Sequence, residues 1–175
     1  MYREVEPLLT ADPQASFIWL RPLLPGDLGW VISQHGLIYA SEYGLDRSFE
    51  VAVAEIVVEV MRSFDAAHDA AWIAEYQGRK VGSVFVVGVE DKTAKLRMLI
   101  VDPSARGLGV GRLLTEAAID FSRQRGYRRM VLWTMSMLSA ARGIYAKAGF
   151  RLIASVSGVS FGCHVTDETW ELDLT

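Results

Sequence analysis

Residues 96–124 pass from an apolar run, through a glycine-rich turn, into an amphipathic run. "LRMLIV" (Leu96–Val101) is apolar and β-branched, the pattern of a mostly buried strand. "DPSAR" ends it: Pro103 cannot donate a ladder hydrogen bond, and Asp102, Ser104 and Gly107 favour turns. Val110, Leu113, Leu114, Ala117, Ala118 and Phe121 then recur at helical spacing. That spacing predicts a helix to about Arg125, with Gly126 as its C-terminal cap. The glycines of "RGLGVGR" therefore sit on a strand-to-helix turn and in the first turn of the helix.

Such a turn suits an anion. The first N–H groups of a helix lack intrahelical partners and lie at the positive end of its dipole. Glycine has no Cβ to hold a ligand off that backbone. Arg106 and Arg112 flank the turn with planar guanidinium forks. The stretch is built to hold a phosphate or diphosphate. It is not a Walker A loop, because no lysine follows the glycines. Nor is it a dinucleotide fingerprint. The sixth position counted from Gly107 is Arg112, and the strand-like "MVLWT" ends without the acid that binds a ribose.

Two segments carry a family resemblance. "LRMLIVDPSARGLGVGRLL" resembles the acetyl-CoA motif of the GNAT N-acetyltransferase superfamily, with Arg106, Gly109 and Gly111 at its pattern positions. Downstream, "ARGIYAKAGF" (Ala141–Phe150) is similar to a second motif of that superfamily. Their order and separation match, and the likeness runs from about residue 17 to the end. "RPLLPGDLGWVISQHGLIYASEYG" and the ending "TWELDL" most resemble the GNAT domain found in MarR-type regulator/acetyltransferase fusions.

Composition bounds the alternatives. A chain of 175 residues suffices for one domain with a substantial core. No apolar run reaches eighteen residues, so no membrane span is expected, and "MYREVEPLLTADPQ" lacks the order of a signal peptide. The single cysteine, Cys163, excludes an internal disulfide and fits a reducing cytoplasm. A net charge of −3 argues against nucleic acid as a partner of this chain alone. His35, His68 and His164 are scattered, so no metal site is expected.

Along the chain, residues 1–16 read as a loosely ordered arm and 17–175 as a single domain. "SFIWLRPL" is a strand ended by Pro22 and Pro25, and Asp27 is the expected N-cap of a helix through "LGWVISQHGLIYASEYG". In "DRSFEVAVAEIVVEVMRSF", Phe49, Val53, Ile56, Val57 and Val60 form a helical apolar stripe. Three strands joined by short turns follow in residues 70–101, and short connections favour antiparallel pairing. A strand "RMVLWTM", a helix "SAARGIYAKA" and two closing strands complete the order. This is an α+β arrangement: a mostly antiparallel seven-stranded sheet with about four helices. The resemblance implies that the sheet splays open at a cofactor cleft.

The resemblance also implies chemistry. Acetyl-CoA would enter between the strand ending at Val101 and the strand ending near Thr134. Leu99, Ile100 and Val101 would meet the pantetheine as an added strand does. Arg106, Gly107, Leu108, Gly109, Val110, Gly111 and Arg112 would hold the diphosphate. Tyr145 matches the family's tyrosine acid and adjoins the cofactor. A phenol near pKa ~10 protonates a departing thiolate (~8.5 for its conjugate acid) at little cost. "AKLRMLIV" carries Lys95 and Arg97 but no carboxylate, unlike many family members. A proton acceptor must come from elsewhere, through water or from another element. Glu42 is the candidate, on a helix face with His35, Tyr39 and Tyr43. His35, Tyr39, Tyr43 and Trp133 are the expected substrate wall.

Two functions stay open at this point. One is acetyl transfer to a primary amine of a small molecule or protein. The other is an acyl-CoA-binding sensor with little turnover. A homodimer is compatible with either.

Overall fold

A computed structural model describes residues 17–90 and 92–175; the arm expected at 1–16 lies outside the described residues. The elements run β1 (Ile18–Pro22), α1 (Asp27–Tyr43), α2 (Arg47–Arg62), β2 (Ala70–Tyr76), β3 (Arg79–Val89) and β4 (Thr93–Val101). Then come α3 (Val110–Gln124), β5 (Arg129–Met135), α4 (Ser139–Lys147), β6 (Arg151–Ser160) and β7 (Cys163–Asp173). Seven strands form one sheet in the order β1-β2-β3-β4-β5-β7-β6. Among the described residues only β4 and β5 pair in parallel, because α3 carries the chain back across the sheet between them. This is the α+β fold expected from the sequence.

Each face of the sheet buries its own helices. Under α1 and α2, Val31, Phe49, Val53, Val57 and Val60 pack on Ile73, Phe85 and Met135. Under α3 and α4, Val110, Leu114, Ala118 and Tyr145 pack on Val84, Leu96, Leu132 and Trp170. The predicted stripe of α2 is this contact, and each fully buried aliphatic there contributes roughly 1.5–3 kcal/mol. Gly36, an unfavourable residue inside α1, is there for closeness: a Cβ would meet the Glu50 side chain of α2 at 3.0 Å.

One local expectation is corrected. Asp27 is not the N-cap of α1; Gly26 occupies that position in the left-handed region, with no side-chain cap. Asp27 is the first helical residue and is buried. Its carboxylate takes Arg21 Nη1 at 2.6 Å, Lys80 Nζ at 2.8 Å and the Leu24 N–H at 2.7 Å. Burial alone would raise its pKa, but these bonds outweigh burial and hold it well below the usual carboxylate range. A tertiary ion cluster thus claims the side chain that the local sequence offered as a cap.

Candidate functional site

The site begins where the sheet opens. β4 and β5 pair only from Thr93↔Arg129 to Leu96↔Leu132. Beyond that, β5 stays with β7 as far as Met135↔Asp167, while β4 keeps β3. β4 also carries a bulge. Its register on β3 shifts between Phe85↔Arg97 and Ser83↔Ile100, and Met98 adopts φ +52°. A bulge bends its strand and sharpens its twist. Buried Ser83 holds the distortion by donating to the Met98 carbonyl at 2.7 Å. From Arg97 to Val101 the β5-side edge of β4 has no strand partner.

The chain then turns sharply. The Asp102 side chain accepts the Ser104 N–H at 2.9 Å, Pro103 opens a short 3₁₀ turn, and Gly107 and Gly109 take φ +81° and +84°. Those two angles require glycine in practice. Gly109 caps α3 with no side-chain hydrogen bond, so no capping side chain occupies the first α3 amides. A Cβ on Gly107 or Gly109 would have no neighbour within 4 Å, and both glycines line the cleft described next. Gly111 serves packing instead, since a Cβ there would meet Ile144 Cδ1 of α4 at 2.7 Å.

These features line a cleft of about 730 Å³. Leu99–Val101, the glycine turn and the start of α3 form one wall, and Ile144 and Lys147 of α4 with Ala148 just after it another. Tyr39 and Tyr43 of α1 line the cleft as well. Four cations, Arg106, Arg112, Arg123 and Lys147, line it against two carboxylates, Glu116 and Asp120. Arg106 Nη2 also reaches Glu42 Oε1 at 2.8 Å, which ties α1 to the turn, and Arg112 pairs with Glu116 at 3.0 Å.

The sequence matches the model of the acetyltransferase (GNAT) family over residues 38–150. The chain belongs to the GNAT family. It is 29% identical to N-acetyltransferase family 8 member 3 of Rattus norvegicus over 143 residues, covering 78% of this chain and 61% of that protein. It is 32% identical to the N-acetylaspartate synthetase of Danio rerio over 110 residues, 62% of this chain and 38% of that one. The uncharacterized N-acetyltransferase YjgM of Escherichia coli is 29% identical over 119 residues, 65% and 71% of the two chains. The chain spans about half to three fifths of the length of the mammalian relatives it matches. Among solved structures, yncA from Salmonella typhimurium, determined with its cofactor acetyl-CoA, superposes with a TM-score of 0.73. It does so at 19% identity, covering 90% and 94% of the two chains.

Within this GNAT domain the expected site residues divide. Leu99, Ile100, Val101, Arg106, Gly107, Gly109, Val110, Gly111 and Arg112 all line the cleft, and so do Tyr39 and Tyr43. Leu108 is exposed and outside the lining. Tyr145, on α4, is buried and does not line the cleft; its ring centroid is 5.8 Å from that of Phe150, and its hydroxyl has no hydrogen-bond partner among the described residues. Burial first, and Tyr39 second, push its pKa up, so the phenol keeps its proton at neutral pH. Glu42 borders the cleft through its bond to Arg106. His35 does not line the cleft. It is buried under Tyr39, Nδ1 donates to the Val31 carbonyl at 2.8 Å, and burial lowers its pKa to about 4. Trp133 stands on β5 outside the cleft and is 43% exposed.

Several contributors were not read from the sequence. Ser83 left a trace, a polar residue inside the apolar run "GSVFVVGV". Met98 left none, because nothing in "LRMLIV" marks a bulge. Arg123, Ile144 and Lys147 reach the cleft only because α3 and α4 pack side by side. Among the described residues, no group of three His, Cys, Asp or Glu is placed to hold a metal ion, and no helix is long and apolar enough to cross a membrane.

Proposed function

We propose that this chain is an acetyl-CoA-dependent N-acetyltransferase that acetylates a primary amine by direct attack in a ternary complex. The observation that carries the reading is the parting of β4 from β5 directly before an uncapped, glycine-bared helix N-terminus. An elongated carrier with an anionic end fits that combination: the cleft runs from β4 past the turn to α3 and α4, and its turn leaves space where a Cβ would stand. The names of the relatives support nitrogen as the accepting atom.

In this reading Gly107–Arg112 and Arg106 hold the diphosphate, and the free edge of β4 at Leu99–Val101 holds the pantetheine amides. Bound acetyl-CoA supplies the acyl group as a thioester, whose carbon–sulfur bond breaks as a neutral amine forms the new carbon–nitrogen bond. Tyr145 gives its proton to the leaving thiolate, a transfer that its raised pKa makes costlier than from a free phenol. Glu42 takes the proton the amine must lose, directly or through water, once Arg106 turns from it to the diphosphate. Tyr39 and Tyr43 give the acceptor an aromatic wall. The same proposal has residues 17–175 working as one domain in the cytoplasm. It also includes the likeness to MarR-fusion GNAT domains and the possibility of a homodimer.

A second reading, an acyl-CoA sensor with little turnover, is favoured by one observation: Arg106 holds the Glu42 carboxylate. Thiol release from acetyl-CoA across an amine panel separates the two. Catalysis predicts release that Tyr145→Phe slows about 10²-fold in kcat while acetyl-CoA affinity persists. Tight acetyl-CoA binding with no release for any amine selects the sensor.

A further inference from the structure

Two buried polar atoms have no hydrogen-bond partner among the described residues: Arg97 Nε on β4 and Asp167 Oδ1 on β7. They belong to groups of opposite charge. A buried donor or acceptor left unpaired is costly and calls for a reason, an unbound ligand among them.

The two share a face. Arg97 lies opposite Phe85 and Asp167 opposite Met135. Phe85 and Met135 both pack under α1 and α2. Directly opposed strand residues point to the same side, so Arg97 and Asp167 both emerge on the α1/α2 side. This is the side opposite α3. β5 runs between them, and its Trp133, two residues before Met135, faces the same way and is 43% exposed. Arg97 is the first β4 residue past the last pair with β5. The two orphaned atoms therefore bracket the opening of the sheet.

Nothing nearby satisfies them. Arg97 Nη1 stands 3.8 Å from Glu59 Oε2, beyond hydrogen-bond reach. Asp167 has no ion pair among the described residues.

Building on the proposed acetyl transfer, we infer that the acceptor is an amino acid, bound on the α1/α2 face. Asp167 receives its ammonium, Arg97 its carboxylate, and Trp133 lies against the remainder. A simple amine would satisfy Asp167 and leave Arg97 orphaned. Asp167 is level with the end of β5, where the strands have parted, so the nitrogen is presented toward the gap that would hold the thioester.

The test uses the full chain with the common amino acids and matched amines lacking only the carboxylate, such as phenylalanine against phenethylamine. Thiol release gives kcat/KM, and calorimetry with coenzyme A present gives binding. Amino acids are expected to exceed their matched amines by at least about tenfold in kcat/KM. Arg97→Met is expected to collapse that ratio toward one through KM, with Arg97→Lys restoring part of it. Asp167→Asn is expected to raise KM for both classes. Unchanged acetyl-CoA affinity in each variant reports an intact fold. Matched amines that react as well as amino acids overturn the inference and leave the transferase reading standing. Amino acids that bind without thiol release do the reverse. Absence of both binding and release overturns the two together.

Discussion

His35 makes a quantitative prediction. Its ring is 4% exposed, its Nδ1 is bound to the Val31 carbonyl, and its folded pKa is lowered to about 4 against an ordinary ~6.5. Between those values the unfolded chain carries a proton that the folded chain refuses. Stability therefore falls as pH drops through that window. Taking the two pKa values, acidification from pH 7 to pH 5 removes about 2 kcal/mol through this one side chain. For a chain of this size that is a Tm loss of about 4–8 °C. Other groups titrate too, so the comparison is with His35→Phe, which keeps a ring against Tyr39 and removes the titration. Urea unfolding of both proteins at pH 7, 6 and 5 gives the difference directly. The stability gap between them should move by about 2 kcal/mol in favour of the variant at pH 5. Parallel curves across that range would mean that His35 is hydrated, and the buried placement would be refuted.

Two further predictions follow from the geometry. Gly109→Val places a branched side chain at φ +84°, on the turn proposed to hold the diphosphate. Calorimetry should show acetyl-CoA affinity weakened by at least about tenfold, with a stability loss of only about 1–2 kcal/mol from backbone strain; unchanged affinity would remove the turn from the cofactor site. Asp27→Asn strips the shared carboxylate from Arg21 and Lys80 and should cost about 2–3 kcal/mol in urea unfolding at pH 7, partial exposure of both cations tempering the penalty. The folded Asp27 pKa is depressed, so its contribution is complete above the unfolded value near ~4 and drains away below it. The two proteins should converge in stability only in strong acid.

The elements were legible because their signals are local. The apolar stripe of α2 and the "DPSARGLGVG" turn are written in consecutive residues, and Gly107 and Gly109 stand where positive φ demands them. Most of the residues from Leu99 to Arg112 line the cleft, and they lie in one contiguous stretch. The proposed acceptor side is not contiguous. His35 and Trp133 look suited to a substrate wall by type and spacing, yet neither lines that cleft: His35 is buried under Tyr39, and Trp133 stands on β5.

What the sequence determined alone was the strand–turn–helix unit, because turn chemistry and helix periodicity act over a few neighbouring residues. Only the tertiary structure decided where β4 leaves β5, that Met98 is the bulge, that Glu42 meets Arg106, and that Arg97 and Asp167 share a face. Each of those depends on contacts between residues far apart in the chain, whose register is set by packing the two helix pairs on opposite sides of one sheet.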